Sequence, residues 1–119
     1  MLDNTDIKTV LVILNNDDYA NHLSRQVGEM GHESSRARTI SEAIEQTKTN
    51  DFYAVVFCKS LPEGANAGLK YALELMESGT RLGFYSPHKN VPPKYEDLMD
   101  NCVMIDPMKP VEGLQVLLQ

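Results

Sequence analysis

Three features of the sequence predict one doubly wound α/β domain with a mostly parallel sheet of five strands. Short apolar runs alternate along the chain with segments whose apolar residues recur every three or four positions. The runs Val10–Leu14 and Phe52–Phe57 are continuously apolar, as in strands that are buried on both faces. A chain of 119 residues is long enough for one such domain. This alternation favours right-handed crossovers, with helices on both faces of the sheet.

The first strand and helix are indicated by an apolar run and the polar residues that follow it. Residues 1–7 are polar, and we expect them to be loose. The β-branched run Val10–Leu14 predicts a central strand. Either Asp17 or Asp18 is expected to cap the next helix, because a short side-chain oxygen accepts its free backbone N–H groups. Gly31 should end that helix in a left-handed conformation.

The next two strands differ in polarity. The segment His32–Arg38 is polar, which suits an edge strand because charge there discourages pairing with another chain. Thr39 and Glu42 have the spacing of a capping box, in which each side chain accepts a hydrogen bond from the other's backbone N–H. A helix over Ser41–Thr47 should follow, and Phe52–Phe57 is then the central strand.

The second half of the chain continues the alternation. We predict a helix over Leu69–Glu77, a strand over Leu82–Tyr85, a short helix over Tyr95–Asp100, a strand over Cys102–Ile105 and a last helix starting in Val111–Leu118. The segment Ser86–Pro93 holds three prolines, and it can only be a loop.

Composition excludes several classes of function. The hydrophobic share of 42% and the charged share of 24% are ordinary for a globular protein. No apolar run approaches the roughly 20 residues of a membrane helix, and the N-terminus does not have the pattern of a secretory signal. A net charge of −6 disfavours binding to nucleic acid or to an anionic membrane.

The two cysteines are expected to be reduced thiols. Cys58 follows a strand and Cys102 begins one, so within one parallel sheet they would lie about a strand length apart, beyond the ~7 Å limit for a disulfide. Reduced thiols are typical of the cytoplasm, where we expect this protein. Cys58 also lies at the edge where open α/β sheets bind their ligands, so it is the expected centre of any chemical site.

Three short motifs occur in the same order and on the same elements as in a known family. Cys58–Pro62 stands in the place of a D-x-x-L-P motif, Ser86 in the place of a Thr or Ser, and Met108–Pro110 in the place of x-K-P. The chain thus resembles a CheY-like receiver domain of the bacterial two-component response regulators. The resemblance implies a flavodoxin-like (βα)5 fold with strand order 2-1-3-4-5 and a cis peptide bond before Pro110.

The chain departs from the family pattern at the phosphorylation site. Cys58 stands where receivers carry the phosphate-accepting aspartate, and the acidic pair maps onto Asn15 and Asn16. A shift of one residue would place Leu14 and Asn15 there, and the opposite shift would bring in Asp17. Mg²⁺ requires oxygen ligands that include carboxylates, so no metal or other cofactor is expected. The chain is therefore interpreted as a pseudo-receiver without enzymatic activity.

The resemblance implies a degenerate phosphoacceptor pocket formed by Asn15, Asn16, Cys58, Ser86 and Lys109. Two interpretations stay open for each of Cys58, Lys109 and Ser86. Cys58 is either a redox or modification switch, its pKa lowered by nearby lysines, or a small side chain that fills a half-buried strand end. Lys109 either binds an anion or bonds to neighbouring groups of the fold. Ser86 is either a vestigial switch hydroxyl or the first residue of the proline-rich loop.

The expected mode of action is recognition of another protein. We predict a partner surface that contains four residues, because Met and Tyr are common at adaptable interfaces: Tyr95, Leu98, Met99 and Met108. The resemblance implies a signalling protein, a kinase or an output domain as the partner, or a homodimer through the face of the fourth helix, fifth strand and fifth helix. The alternatives are redox or ligand sensing at Cys58 and phosphoryl acceptance through Asp17.

Overall fold

The computed structural model describes residues 7–119, and its centre is a parallel sheet with the order β2-β1-β3-β4-β5. The strands are β1 (Thr9–Ile13), β2 (Glu33–Ala37), β3 (Ala54–Phe57), β4 (Arg81–Tyr85) and β5 (Cys102–Ile105). All four pairs of neighbouring strands are parallel. The predicted fold class and strand order are therefore confirmed. The expectation that residues 1–7 are loose falls almost entirely outside the described range.

Helices connect successive strands as predicted. They are α1 (Asp17–Glu29), α2 (Ile40–Thr49), α3 (Ala67–Glu77), α4 (Glu96–Asp100) and α5 (Pro110–Leu117), with a short 3-10 helix at Pro93–Tyr95. Gly31 follows α1 with φ of 85°, as predicted. The main differences lie at the ends of elements: β3 begins two residues later than its apolar run, and α3 begins two residues earlier than its apolar stripe.

The sheet is buried on both faces, because successive strand residues point to opposite sides. On β1, Leu11 and Ile13 pack in the core beneath α2, α3 and α4, whereas Val10 and Val12 pack against α1 and α5. All four side chains have 0% exposure. The continuous apolar runs of the sequence thus have a direct structural cause.

The start of α2 is capped somewhat differently from the prediction. The Glu42 N–H donates to Thr39 Oγ1 at 3.1 Å, as expected. The carboxylate of Glu42 accepts its hydrogen bond from the Arg38 N–H, at 3.0 Å, instead of from Thr39. The cap therefore includes the residue before the box, and it ties α2 to the end of β2.

Two glycines allow helices to lie very close to the carboxyl edge of the sheet. A Cβ on Gly68, in the first turn of α3, would lie 1.7 Å from the Cys58 carbonyl oxygen. A Cβ on Gly113, in α5, would lie 2.3 Å from the Met104 carbonyl oxygen. Because both obstacles are backbone atoms, only glycine fits at these positions without moving a strand end.

At the amino edge of the sheet, two basic side chains bind the C-terminal end of α5. Arg81 donates to the carbonyl oxygens of Leu117 at 2.5 Å and Val116 at 3.0 Å. Lys8 Nζ donates to the Leu118 carbonyl at 2.7 Å. These cations hydrogen-bond to carbonyl groups in the last turn of the helix and interact favourably with its dipole.

Cys58 and Cys102 are both free thiols, and they lie at opposite ends of their strands. None of the helices within residues 7–119 is long and apolar enough to cross a membrane.

Candidate functional site

Asn15, Asn16 and Cys58 line one cleft at the carboxyl edge of the sheet, with a volume of about 530 Å³. Their positions follow from strand register. Ile13 on β1 pairs with Phe57 on β3, so the residues that follow these two strands emerge beside each other. Adjacent parallel strands bring their carboxyl ends to the same edge, which is where open α/β folds bind ligands.

The Cys58 thiol is protonated at neutral pH. Burial raises the pKa of Cys58 from 9.0 to about 11, and a backbone hydrogen bond opposes this shift only in part. The thiol donates to the Ser60 carbonyl oxygen at 3.1 Å. Because the thiolate is the reactive form, Cys58 is a poor nucleophile in this environment.

Asn16 has a structural role at the start of α1. Its side-chain oxygen accepts a hydrogen bond from the Tyr19 N–H at 3.0 Å. Asn16 is thus the N-cap, which corrects the expectation that Asp17 or Asp18 would cap this helix. Asparagine and aspartate cap equally well, and the helix begins one residue earlier than the prediction required.

Asp17 faces β2 and pairs with two arginines. Its carboxylate lies 2.6 Å from Arg36 Nη1 and 3.2 Å from Arg38 Nη2. The hydrogen bond from Arg36, together with the charges of Arg38 and Arg36, lowers the pKa of Asp17 below its usual value of 3.8. Asp17 directly follows the cleft residues Asn15 and Asn16 in sequence, and its carboxylate is already paired with Arg36 and Arg38.

Sequence reasoning did not identify the role of Arg36. This guanidinium also donates to the carbonyl oxygens of Leu14, at 2.9 Å and 3.2 Å, and of Asn15, at 3.0 Å. It fixes the loop between β1 and α1 from the neighbouring strand. The sequence does carry one signal for this role, because Arg36 and Arg38 stand two positions apart on a predicted edge strand and the loop after the first strand is acidic.

Ser86 and Lys109 line a separate groove of about 380 Å³, beyond Pro87. The Ser86 hydroxyl donates to the His88 carbonyl oxygen at 2.7 Å and accepts from the His88 N–H at 3.3 Å. It thereby forms a local turn at the start of the proline-rich loop. The structure does not bring these two residues into the cleft beside Cys58.

The expected cis bond before Pro110 is absent, since residues 7–119 contain no cis peptide bond. The Lys109 N–H donates to the Asp106 carbonyl oxygen at 2.9 Å, and the Asp106 carboxylate accepts from the Met108 N–H at 2.9 Å. These two bonds close the turn before α5 with trans peptides. Lys109 is left exposed at the surface of this turn.

The remaining walls of the cleft are mostly aromatic, proline and aliphatic side chains, together with one serine: Leu14, Tyr19, Ser60, Tyr85, Pro87, Pro107 and Met108. The rings of Tyr19 and Tyr85 are 6.0 Å apart, which is within the range of favourable aromatic contacts. Among the described residues, no Asp, Glu, Lys, Arg or His lines this cleft. Nor does residue range 7–119 hold a group of three or more His, Cys, Asp or Glu suited to a metal ion.

The predicted partner surface is corrected by the structure. Tyr95, Leu98 and Met99 are 1%, 0% and 4% exposed, and all three belong to the core beneath the sheet. The reason is that α4 has only five residues, so its apolar side chains are all needed to cover that core. Met108 alone of the four is available to a partner, with 85% exposure.

Comparison with solved structures identifies receiver domains as structural neighbours. A CheY-like receiver domain from Methylobacillus flagellatus has a TM-score of 0.73 and 18% identity, over 93% of this chain and 98% of the other. The beryllofluoride-activated NtrC4 receiver domain dimer has a TM-score of 0.75 and 21% identity, with 93% of each chain covered.

A response regulator from Burkholderia pseudomallei has a TM-score of 0.76 and 20% identity, over 94% of this chain. This chain spans 66% of that protein. No protein-family model and no curated protein matches the sequence. At these low identities the likeness establishes the architecture: the chain has the flavodoxin-like fold of CheY-like receiver domains.

Proposed function

We propose that this chain is a receiver-like module of a two-component signalling pathway that acts by binding a protein and not by accepting phosphate. The observation that carries the proposal is the uncharged cleft at the strand ends, where Cys58 is a protonated thiol between Asn15 and Asn16. The Burkholderia neighbour was solved with a phosphorylated aspartic acid and a calcium ion. By the order of motifs, Cys58 stands at the position of such an aspartate.

The donor set of the cleft argues against metal-assisted phosphoryl transfer. Mg²⁺ is bound in proteins through carboxylates, phosphates and water, and amide oxygens and a neutral thiol supply no negative charge. Lys109 lines the neighbouring groove and not the cleft that holds Cys58. With no anionic ligand and no cation at the site, nothing offsets the charge that develops on a transferring phosphoryl group.

The same site argues against redox sensing at Cys58 and against phosphoryl acceptance by Asp17. A redox switch requires a reactive thiolate, and burial raises the pKa of Cys58 to about 11. Phosphoryl acceptance by Asp17 requires a free carboxylate, and this one is paired with Arg36 and Arg38. We therefore expect a non-enzymatic module that works in the bacterial cytoplasm, in keeping with two free thiols.

Intact mass after incubation with acetyl phosphate and Mg²⁺ tests the proposal. We expect no phosphorylated species from the wild-type chain, and a conventional receiver domain in the same buffer serves as the positive control. A mass increase of one phosphoryl group on the wild-type chain would overturn the proposal. Peptide mapping of that product would then distinguish Asp17 from other acceptors.

A homodimer through the face of α4, β5 and α5 stays a prediction. The NtrC4 neighbour was solved as a receiver domain dimer. On this chain, Val116 of α5 is an exposed apolar residue, with 46% exposure. Light scattering across a concentration series, with Val116→Glu as the comparison, measures whether a dimer forms there.

A further inference from the structure

The strand-end cleft has the composition of a recognition site for an apolar group. Its volume of about 530 Å³ lies within the roughly 300–1,000 Å³ range of ligand pockets. The cleft walls carry no charged side chain among the described residues, although the chain has a net charge of −6. Such pockets bind through apolar contacts and a few polar groups.

The exposure of the rim indicates what kind of occupant covers it. Tyr19 is 54% exposed and Met108 is 85% exposed, and both lie on this cleft. Removing a large apolar side chain from water contributes roughly 1.5–3 kcal/mol when burial is complete. A small molecule seated in the cleft would leave the outer part of these side chains in water, whereas a polypeptide that crosses the rim would cover them.

The charge of the cleft restricts the side chain that can enter it. A carboxylate or ammonium group placed between Tyr85, Pro87 and Pro107 would lose its hydration without gaining a partner of opposite charge. The Asn15 side chain makes no hydrogen bond within the described part of the chain. Its amide can therefore pair with the backbone of an incoming segment.

From these contacts we infer that the cleft receives one uncharged apolar or aromatic side chain from an extended segment of a partner protein. This inference rests on the proposed function, because it names the surface and the chemistry through which the module binds its partner. Tyr19 and Met108 would cover the segment on either side of the inserted side chain. Such buried central anchors usually supply most of the affinity of an interface.

The test uses capped pentapeptides of the form Gly-Ser-X-Ser-Gly as probes, with Trp, Leu, Glu or Lys at X, and amide chemical shifts of the full chain as readout. The Trp and Leu peptides are expected to shift resonances around Tyr19, Cys58 and Met108. Their affinity should exceed that of the Glu and Lys peptides by at least about tenfold, because only the charged residues lose hydration without compensation. Equal affinities, or shifts confined to another surface, would overturn the inference.

A pair of matched variants locates the binding. Asn15→Asp introduces a carboxylate into the cleft with almost no change of shape, and we expect about a tenfold loss of affinity for the Trp peptide. Asn21→Asp makes the same chemical change on the exposed side of α1, outside the cleft, and should leave the affinity unchanged. Circular dichroism of both variants checks that the fold is retained. An equal effect of the two substitutions would contradict the inference.

Two further outcomes would assign the cleft to a different occupant and so overturn the inference. Free indole that binds as tightly as the Trp peptide would indicate a small-molecule site. Concentration-dependent dimerisation that Met108→Lys abolishes would indicate a second copy of the chain. The acetyl phosphate experiment is independent of all these readouts, so phosphorylation would refute the proposed function, and an absence of peptide binding would refute this inference alone.

Discussion

At the scale of single residues, Cys58 and Arg36 determine the character of the site. Cys58 supplies a neutral thiol at the end of the central strand, and Arg36 supplies a cation that is used entirely within the protein. The neutral Cys58 thiol adds no charge to the cleft. Arg36 holds the loop that carries Asn15 and pairs with the Asp17 carboxylate.

The pH dependence of stability should report the environment of Cys58. The thiol ionises near 9.0 when unfolded and near 11 when folded. Its contribution to stability is thus complete below pH 9 and is lost as the pH rises from 9 to 11, by about 2–3 kcal/mol at most. Urea unfolding of the wild type and Cys58→Ala across this range should show a steeper loss for the wild type. Parallel curves would contradict the assignment.

Arg36 and Arg38 should differ in their importance for stability although they share a partner. We expect Arg36→Ala to lower the free energy of unfolding by about 1–3 kcal/mol, because it leaves the Leu14 and Asn15 carbonyl groups without their donor. Arg38→Ala should cost less than about 0.5 kcal/mol, since an exposed ion pair contributes little. Chemical denaturation of both variants measures the difference, and equal losses would refute this role of Arg36.

At the scale of the elements, α3 approaches the end of β3 closely and holds the segment that follows Cys58. The Gly68 N–H donates to the Lys59 carbonyl oxygen at 3.1 Å, directly after Cys58. This backbone contact explains why α3 begins two residues earlier than predicted. The first turn contains Ala67 and Gly68, and Gly68 is buried because the helix backbone itself contacts the strand end.

Substitution of two helical glycines by alanine should have opposite effects. Gly68→Ala is expected to destabilise the protein by about 3 kcal/mol or more, because its Cβ would overlap the Cys58 carbonyl. Gly28→Ala, in α1, meets no atom within 4 Å and should stabilise by up to about 1 kcal/mol. Thermal unfolding of the two variants provides the measurement. A Gly68→Ala protein as stable as the wild type would show that α3 does not pack this closely.

At the scale of the whole molecule, the fold brings the strand ends together at a cleft whose described lining residues include no carboxylate. The order of the strands brings the ends of β1 and β3 together whatever residues follow them. Residue identity then decides between phosphoryl chemistry and apolar recognition. One fold can therefore serve different functions, because the function depends on the residues that line the site.

Introducing three carboxylates into the cleft should therefore create a metal-binding site. The triple variant Asn15→Asp, Asn16→Asp, Cys58→Asp places oxygen ligands around the cleft, and Mg²⁺ should raise its melting temperature by mass action. The wild type and the control Asn21→Asp should show no such increase. A triple variant that is insensitive to Mg²⁺ would indicate that this cleft does not correspond to the metal site of receivers.

The sequence by itself determined the fold class and the number and order of the elements, which follow from local periodicity. The meeting of Asn15, Asn16 and Cys58 was implied by the resemblance to receiver domains, in which these positions end neighbouring strands at one edge of the sheet. The caps at Asn16 and Thr39 were partly predictable, because capping depends on a few adjacent residues. Their exact partners depended on backbone geometry.

Only the tertiary structure decided which side chains face the cleft. The separation of Ser86 and Lys109 from Cys58, the burial of Tyr95 and the turn of Arg36 toward the first loop depend on packing between elements that are distant in sequence. Periodicity identifies an apolar side chain but does not tell whether a neighbouring element covers it. For that reason the sequence predicted Tyr95, Leu98 and Met99 as part of a partner surface, whereas the structure buries all three and leaves only Met108 of the predicted set exposed.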